Sequence, residues 1–166
     1  MSAPATAQAV PAGPVVQDTF LCVKPDGVER GLIGEMIVRF ERKGLQLVGM
    51  KMITPSRSLI ETHYAEHRGK GFFNGICEYM SGHPVVAMVW RGVDAISVCR
   101  TVIGATNPTK AAMGTIRGDF GMQTGRNLIH GSDGPESAAR EIGLWFRPEE
   151  ITPASVVPCI NKWLYE

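Results

Sequence analysis

The chain lacks the features that would place it in a specialised class. No stretch approaches the roughly 18 uninterrupted apolar residues of a membrane-crossing helix, so no span and no membrane partner is expected. Cys22, Cys77, Cys99 and Cys159 contain no C-x-x-C pair, which argues against a zinc site or a disulfide framework. Three of the four sit among apolar neighbours and read as small buried residues of a protein in the reduced cytosol. Net charge is nearly absent: 17 basic and 16 acidic side chains leave +1. That balance gives no general pull toward nucleic acid or anionic lipid, so an anionic ligand must be met by a local cluster of cations. G-x-x-x-x-G-K-[ST] is missing, and Gly27, Gly31 and Gly34 are too widely spaced for G-x-G-x-x-G. Phosphates, if bound, would be held by side chains rather than by a glycine-rich backbone cradle.

What is present is ordinary globular material. With 166 residues, 44% apolar and 20% charged, the chain can close one core without disulfide or metal support. Residues 1–17 differ: alanines alternate with polar residues and prolines, and no charge precedes Asp18. This stretch has neither the basic start of a secretory signal nor the arginines of a mitochondrial one, and it reads as a flexible arm ahead of a domain over 18–166.

Along that domain, Asp18 to Lys24 reads as a buried strand stopped by Pro25-Asp26-Gly27. Leu32, Ile33, Met36, Ile37 and Phe40 recur at helical spacing, with Gly44 as a stop. Leu45 to Thr54 alternates with a slip at Gly49, a strand with a bulge. Ser58-x-x-Glu61 reads as a capping box opening a helix through about His67, and a short helix covers Phe72 to Met80. Pro84 to Trp90 is the clearest buried strand, and Asp94 caps the next helix. Gly104 to Gly125 has little periodicity and reads as a long functional loop. Asn127 to His130 is a short strand, and Pro135 opens a helix to about Phe146. Pro148 starts a further short helix, and the apolar end at 160–166 reads as docked. This order predicts an α+β sandwich of the ferredoxin-like, split βαβ type, a four-stranded antiparallel sheet covered by helices. The competing doubly wound parallel sheet wants more strands and a glycine-rich first turn.

The chemistry concentrates around His130. Alternation places Leu128 and His130 on one face, and Gly131 then breaks the strand, so the imidazole can project into a cleft. An isolated histidine is more often structural. Here Glu141, on the following helix, can hold one ring nitrogen and leave the other its lone pair, as a nucleophile needs. Arg117 and Arg100 supply guanidinium forks suited to phosphate oxygens. His63 and His67, four apart in H-Y-A-E-H, lack the glutamate position of H-E-x-x-H and read as a solvated helix face, not a metal site.

Several stretches together resemble the nucleoside diphosphate kinases: Lys24-Pro25-Asp26-Gly27-Val28, Arg30-Gly31-Leu32-Ile33-Gly34-Glu35, Pro84-Val85-Val86-Ala87-Met88 and Gly104-Ala105-Thr106-Asn107-Pro108. The most specific are Gly114-Thr115-Ile116-Arg117-Gly118-Asp119-Phe120 and Asn127-Leu128-Ile129-His130-Gly131-Ser132-Asp133. The likeness runs from about Thr19 to Glu166, in family order. It implies ping-pong transfer of the γ-phosphate of a nucleoside triphosphate, mainly ATP, to a nucleoside diphosphate, through a phosphohistidine on His130. It also implies that Glu141 orients the ring, supported by Ser132, and that Arg100, Thr106 and Arg117 hold phosphates. Lys24 and Asn127 would bind the sugar, Tyr64 would steady the site, and Phe72 would stack on the base, helped by Ile76. Mg2+ would come with the nucleotide, held by phosphates and water rather than by the protein. A cytoplasmic homo-oligomer, a hexamer, is the implied assembly, and nucleic acid is not an expected partner. The alternative is a regulatory or nucleic-acid-binding protein on the same scaffold. Gly71, Asn74, Gly82-His83, Met113 and Gly134-Pro135 depart from the family pattern without removing a predicted catalytic group.

Overall fold

A computed structural model describes residues 15–155. The strands are β1 (Val16–Val23), β2 (Gln46–Ile53), β3 (Val85–Val93) and β4 (Ile129–Gly131). The α-helices are α1 (Pro25–Glu29), α2 (Ile33–Arg42), α3 (Arg57–His63), α4 (Phe73–Met80), α5 (Ala95–Ile103), α6 (Ile116–Phe120) and α7 (Pro135–Trp145). The sheet runs β2-β3-β1-β4 with every neighbouring pair antiparallel. This is the ferredoxin-like α+β sandwich, not a parallel doubly wound sheet.

The apolar run of β3 exists because both faces of this central strand are covered. Val86, Met88 and Trp90 pack on one side with Met36 and Phe40 of α2 and Cys99 and Ile103 of α5. Val85, Ala87 and Val89 pack on the other with Ile60 of α3, Cys77 and Met80 of α4 and Trp145 of α7. Strand β1 alternates in the same way, Leu21 and Val23 to the first layer, Phe20 and Cys22 to the second. Each fully buried large side chain contributes about 1.5–3 kcal/mol, so packing fixes the strand order before any ligand acts. Cys22 stands opposite His130 in the β1–β4 ladder. Directly opposed residues share a sheet face, so His130 is turned toward α3 and α7. A Cβ at Gly131 would lie 2.8 Å from Ile103 Cδ1 and 2.9 Å from Leu21 Cδ2, so the ends of those two side chains would have to shift to admit one.

Four local expectations need correction. Helix α3 is capped by Ser56, whose Oγ accepts from the Leu59 N–H at 3.2 Å, and Glu61 pairs with Arg57 at 2.7 Å instead of closing a box with Ser58. The helix ends at His63, and Ala65–His67 is a 3-10 turn. Asp94 holds the N-cap position of α5 without a side-chain capping bond, at φ 50°. The Gly104–Gly125 stretch contains a 3-10 turn at Pro108–Lys110 and α6, the latter capped by Thr115 Oγ1 accepting from the Gly118 N–H at 3.0 Å. The last strand starts only at Ile129, because Leu128 is left-handed at φ 72°, which breaks the simple alternation. The bulge in β2 falls between Leu47 and Gly49, as its pattern predicts. Cys22, Cys77 and Cys99 are free and buried. Cys159, the arm's first 14 residues and the C-terminal 160–166 lie outside the described residues.

Candidate active site

The site forms where β4 leaves the sheet beside the start of α7. His130 Nε2 lies 3.0 Å from Oε1 of the buried Glu141. The carboxylate accepts, so the ring proton belongs on Nε2 and Nδ1 keeps a lone pair. Oε2 of the same carboxylate accepts from Ser132 Oγ at 2.6 Å. Both carboxylate oxygens are therefore occupied, and the imidazole is held in one orientation.

Four cations and polar groups gather on the adjoining side. Lys24 Nζ donates to Asn127 Oδ1 at 2.7 Å, and Asn127 Nδ2 donates to the Thr106 carbonyl at 2.9 Å. Arg117 donates from Nε to the Asn127 carbonyl at 3.1 Å, from Nη1 to Gly104 at 3.1 Å and from Nη2 to Ile129 at 2.6 Å. A guanidinium carries five N–H groups, so donors remain after these three. Arg100 and Arg117 line one small cleft with Ile103, Gly104 and Gly131. Burial and then the nearby Arg117 push Lys24 down to about 8. Burial and then Arg100 push Arg117 down to about 10. Both shifts have the sign of cations kept from water and close to one another, a condition that an anion relieves.

Tyr64 is buried and its ring lies 6.1 Å from that of His130, yet its hydroxyl has no hydrogen-bond partner among the described residues. An orphan hydroxyl in that position is costly without a ligand. Phe72 is 53% exposed at the N-cap of α4 and touches His67 at 5.5 Å, which stacks on Tyr64 at 6.1 Å. An exposed aromatic platform thus stands at one end of a row of rings that ends at His130. Ile76 is on the same helix but packs into the second core layer. Thr106 reaches Asn127 through its backbone carbonyl.

His63 was not legible as a site residue. It is buried rather than solvated, with its ring 4.7 Å from that of His130. Trp145 Nε1 donates to its Nδ1 at 3.1 Å, and burial, then His130, push it down to about 2, so it stays neutral. Among the described residues His63, His130 and Glu141 form the one cluster of three possible metal ligands. Two imidazoles and one carboxylate oxygen suit a softer ion and do not make the six-oxygen cage that Mg2+ demands.

The nucleoside diphosphate kinase family model matches residues 17–151. The chain belongs to the nucleoside diphosphate kinase family. It is 55% identical over 151 residues to a nucleoside diphosphate kinase of Carboxydothermus hydrogenoformans, covering 91% of this chain and 100% of that protein. It is 56% identical over 151 residues to that of Picosynechococcus sp., with the same coverage. Among solved structures, a halophilic nucleoside diphosphate kinase from Halobacterium salinarum in complex with CDP superposes with a TM-score of 0.86 at 46% identity, covering 90% of this chain and 99% of that one. A transition state mimic of the Borrelia burgdorferi enzyme with bound vanadate and ADP gives a TM-score of 0.79 at 40% identity, covering 83% and 91%. This kinase is accordingly an enzyme that passes a phosphoryl group between nucleoside tri- and diphosphates.

Proposed function

We propose that His130 is the phosphoryl carrier of a two-step exchange. Nδ1 attacks the γ-phosphorus of a nucleoside triphosphate, the N–P bond forms as the bond to the bridging oxygen breaks, and a nucleoside diphosphate leaves. The ring proton stays on Nε2, hydrogen-bonded to the Glu141 carboxylate, which offsets the charge that develops on the imidazole. A second diphosphate then reverses the step and leaves with the phosphoryl group. The observation that carries this reading is the Ser132–Glu141–His130 relay, with its 2.6 Å and 3.0 Å links, set beside a cleft lined by Arg100 and Arg117. Phosphoryl transfer needs mainly position and positive charge, and that is what these groups supply.

Arg100, Arg117 and Thr106 hold the phosphates in this reading, Lys24 and Asn127 meet the sugar, and Tyr64 donates its free hydroxyl to the substrate. Phe72 offers a π-face that every base can use, so base preference is weak; Ile76 supports that helix. Mg2+ would come with the nucleotide, with phosphate oxygens and water rather than protein side chains as its ligands, and would supply charge neutralisation there. No described helix is long and apolar enough to cross a membrane. By family likeness the enzyme works in the cytoplasm on free nucleotides. It works as a homo-oligomer, a hexamer by family likeness. Strand β2 supports this, since it ends the sheet with Met50 and Met52 exposed.

Brief exposure to γ-labelled ATP and magnesium tests the carrier. Wild type is expected to yield an acid-labile phosphoprotein that a diphosphate discharges, and His130→Ala none. Labelling that survives His130→Ala would overturn the assignment.

A further inference from the structure

The carboxylate of Asp26 takes no part in the chemistry above, yet it sits at a crossing of three elements. Its Oδ1 accepts from Tyr79 Oη at 2.5 Å, and its own N–H donates back to that oxygen at 3.2 Å. Its Oδ2 accepts from the Leu128 N–H at 3.1 Å. Leu128 in turn accepts at its carbonyl from the Lys24 N–H at 2.8 Å. The Arg126 guanidinium lies 3.9 Å above the Tyr79 ring and covers the pair.

The residue at the centre of this ring of bonds is strained. Leu128 holds φ 72°, a conformation that a bulky side chain keeps only where its surroundings over-determine it. Here both of its backbone polar groups are fixed, one by Asp26 and one by Lys24. The bend has a use: the carbonyls on either side of it, Asn127 and Ile129, both accept from Arg117. Lys24 also returns to the same place through its side chain, on Asn127 Oδ1. Tyr79, meanwhile, belongs to α4, the helix whose N-cap is Phe72. Burial pushes the Tyr79 phenol well above its ordinary range, so it remains a donor at every working pH.

We propose that Asp26 and Tyr79 are positioning residues that clamp the Phe72 helix to the Lys24–Leu128–Asn127 corner, so that engagement of the nucleoside sets the phosphate-side cations. This rests on the nucleotide-binding reading of Phe72, Lys24 and Asn127. A correctly seated base and sugar place α4, α4 places Asp26 through Tyr79, and Asp26 holds the bend that presents Asn127, Lys24 and Arg117. A donor with no base or sugar gains nothing from the clamp.

The experiment compares two phosphoryl donors, γ-labelled ATP and phosphoramidate, which carries no nucleoside. Tyr79→Phe keeps the ring and removes only the hydroxyl. It is expected to raise the ATP concentration for half-maximal labelling of His130 about tenfold, through a small misplacement of binding groups. Its labelling rate by phosphoramidate should stay within about twofold of wild type, as a bare phosphoryl donor spends no binding energy on the nucleoside. Asp26→Asn can still accept from Leu128 and donate to Tyr79, and should recover most of the ATP response; Asp26→Ala should not. Equal losses with both donors in Tyr79→Phe would mean a merely structural bond and overturn the coupling, as would no change with either. A wild type that ATP fails to label would instead overturn the carrier reading, and the clamp's role with it. A labelled wild type indistinguishable from Tyr79→Phe overturns the clamp alone.

Discussion

Glu141 serves two partners with its two oxygens, His130 on Oε1 and Ser132 on Oε2, and this division selects one imidazole tautomer. Ser132→Ala leaves a buried carboxylate oxygen without its donor, at a cost of about 1–3 kcal/mol. We expect the fold to survive and the rate of His130 labelling to fall by about tenfold, the usual scale for losing an orienting group; urea unfolding and pulse labelling measure the two effects separately. Lys24 carries a second prediction. Its pKa is about 8 in the folded protein against an ordinary 10.5, chiefly because it is buried and then because of Arg117. Between these two values the unfolded chain binds more protons than the folded one, so stability rises with pH through that window. Below about pH 8 the whole cost of the buried cation is present, on the order of 3 kcal/mol. Lys24→Met should therefore flatten the stability profile between pH 8 and 10.5 and raise Tm at pH 7. It should also weaken nucleotide binding, and the two effects together mark a residue kept for function at the expense of the fold.

At the scale of elements, α6 is only five residues long and carries Arg117, so something else must hold it. Asp119 Oδ1 accepts from the Gly114 N–H at 2.7 Å, while Arg39 on α2 reaches Asp119 Oδ2 at 2.7 Å and the Gly114 carbonyl at 2.9 Å. Arg39→Met removes these half-buried contacts and should loosen this loop with a small global loss. Amide exchange over Gly114–Gly121 should quicken and diphosphate affinity should fall, read by calorimetry. That architecture also explains what was legible. β3 announced itself because a doubly covered strand is apolar at every position from Val85 to Trp90, and the β2 bulge because Gly49 interrupts an alternation. Glu141 could be assigned to His130 because the helix that follows the strand folds back beside it, while Ser132 was reached only through the family resemblance. His63 could not, since its partner Trp145 lies 82 residues away, and burial, with His130 beside it, turns a helix-face histidine into a neutral wall of the site. α6 and the bend at Leu128 were missed for a related reason: bonds from Arg39 and Asp26, distant in sequence, hold segments that have little periodicity of their own.

For the whole molecule, the open side of the sheet is the informative surface. β2 ends the order β2-β3-β1-β4, and Met50 and Met52 project from it at 52% and 58% exposure. If copies associate along this edge, Met50→Glu with Met52→Glu should reduce the mass found by light scattering while leaving monomer secondary structure intact. Met113, which departs from the family pattern, is 82% exposed, so replacing it with proline should change loop rigidity rather than the core. The crowding of Arg100 and Arg117 around one cleft, with Lys24 close to Arg117, has a practical outcome for anyone handling the purified enzyme. Without substrate, those like charges repel each other and raise the free energy of the resting fold. Its melting point should therefore depend on the buffer salt chosen, higher in phosphate or sulfate than in chloride at equal ionic strength. Storage conditions, and not only nucleotides, will decide how tightly the resting protein holds together.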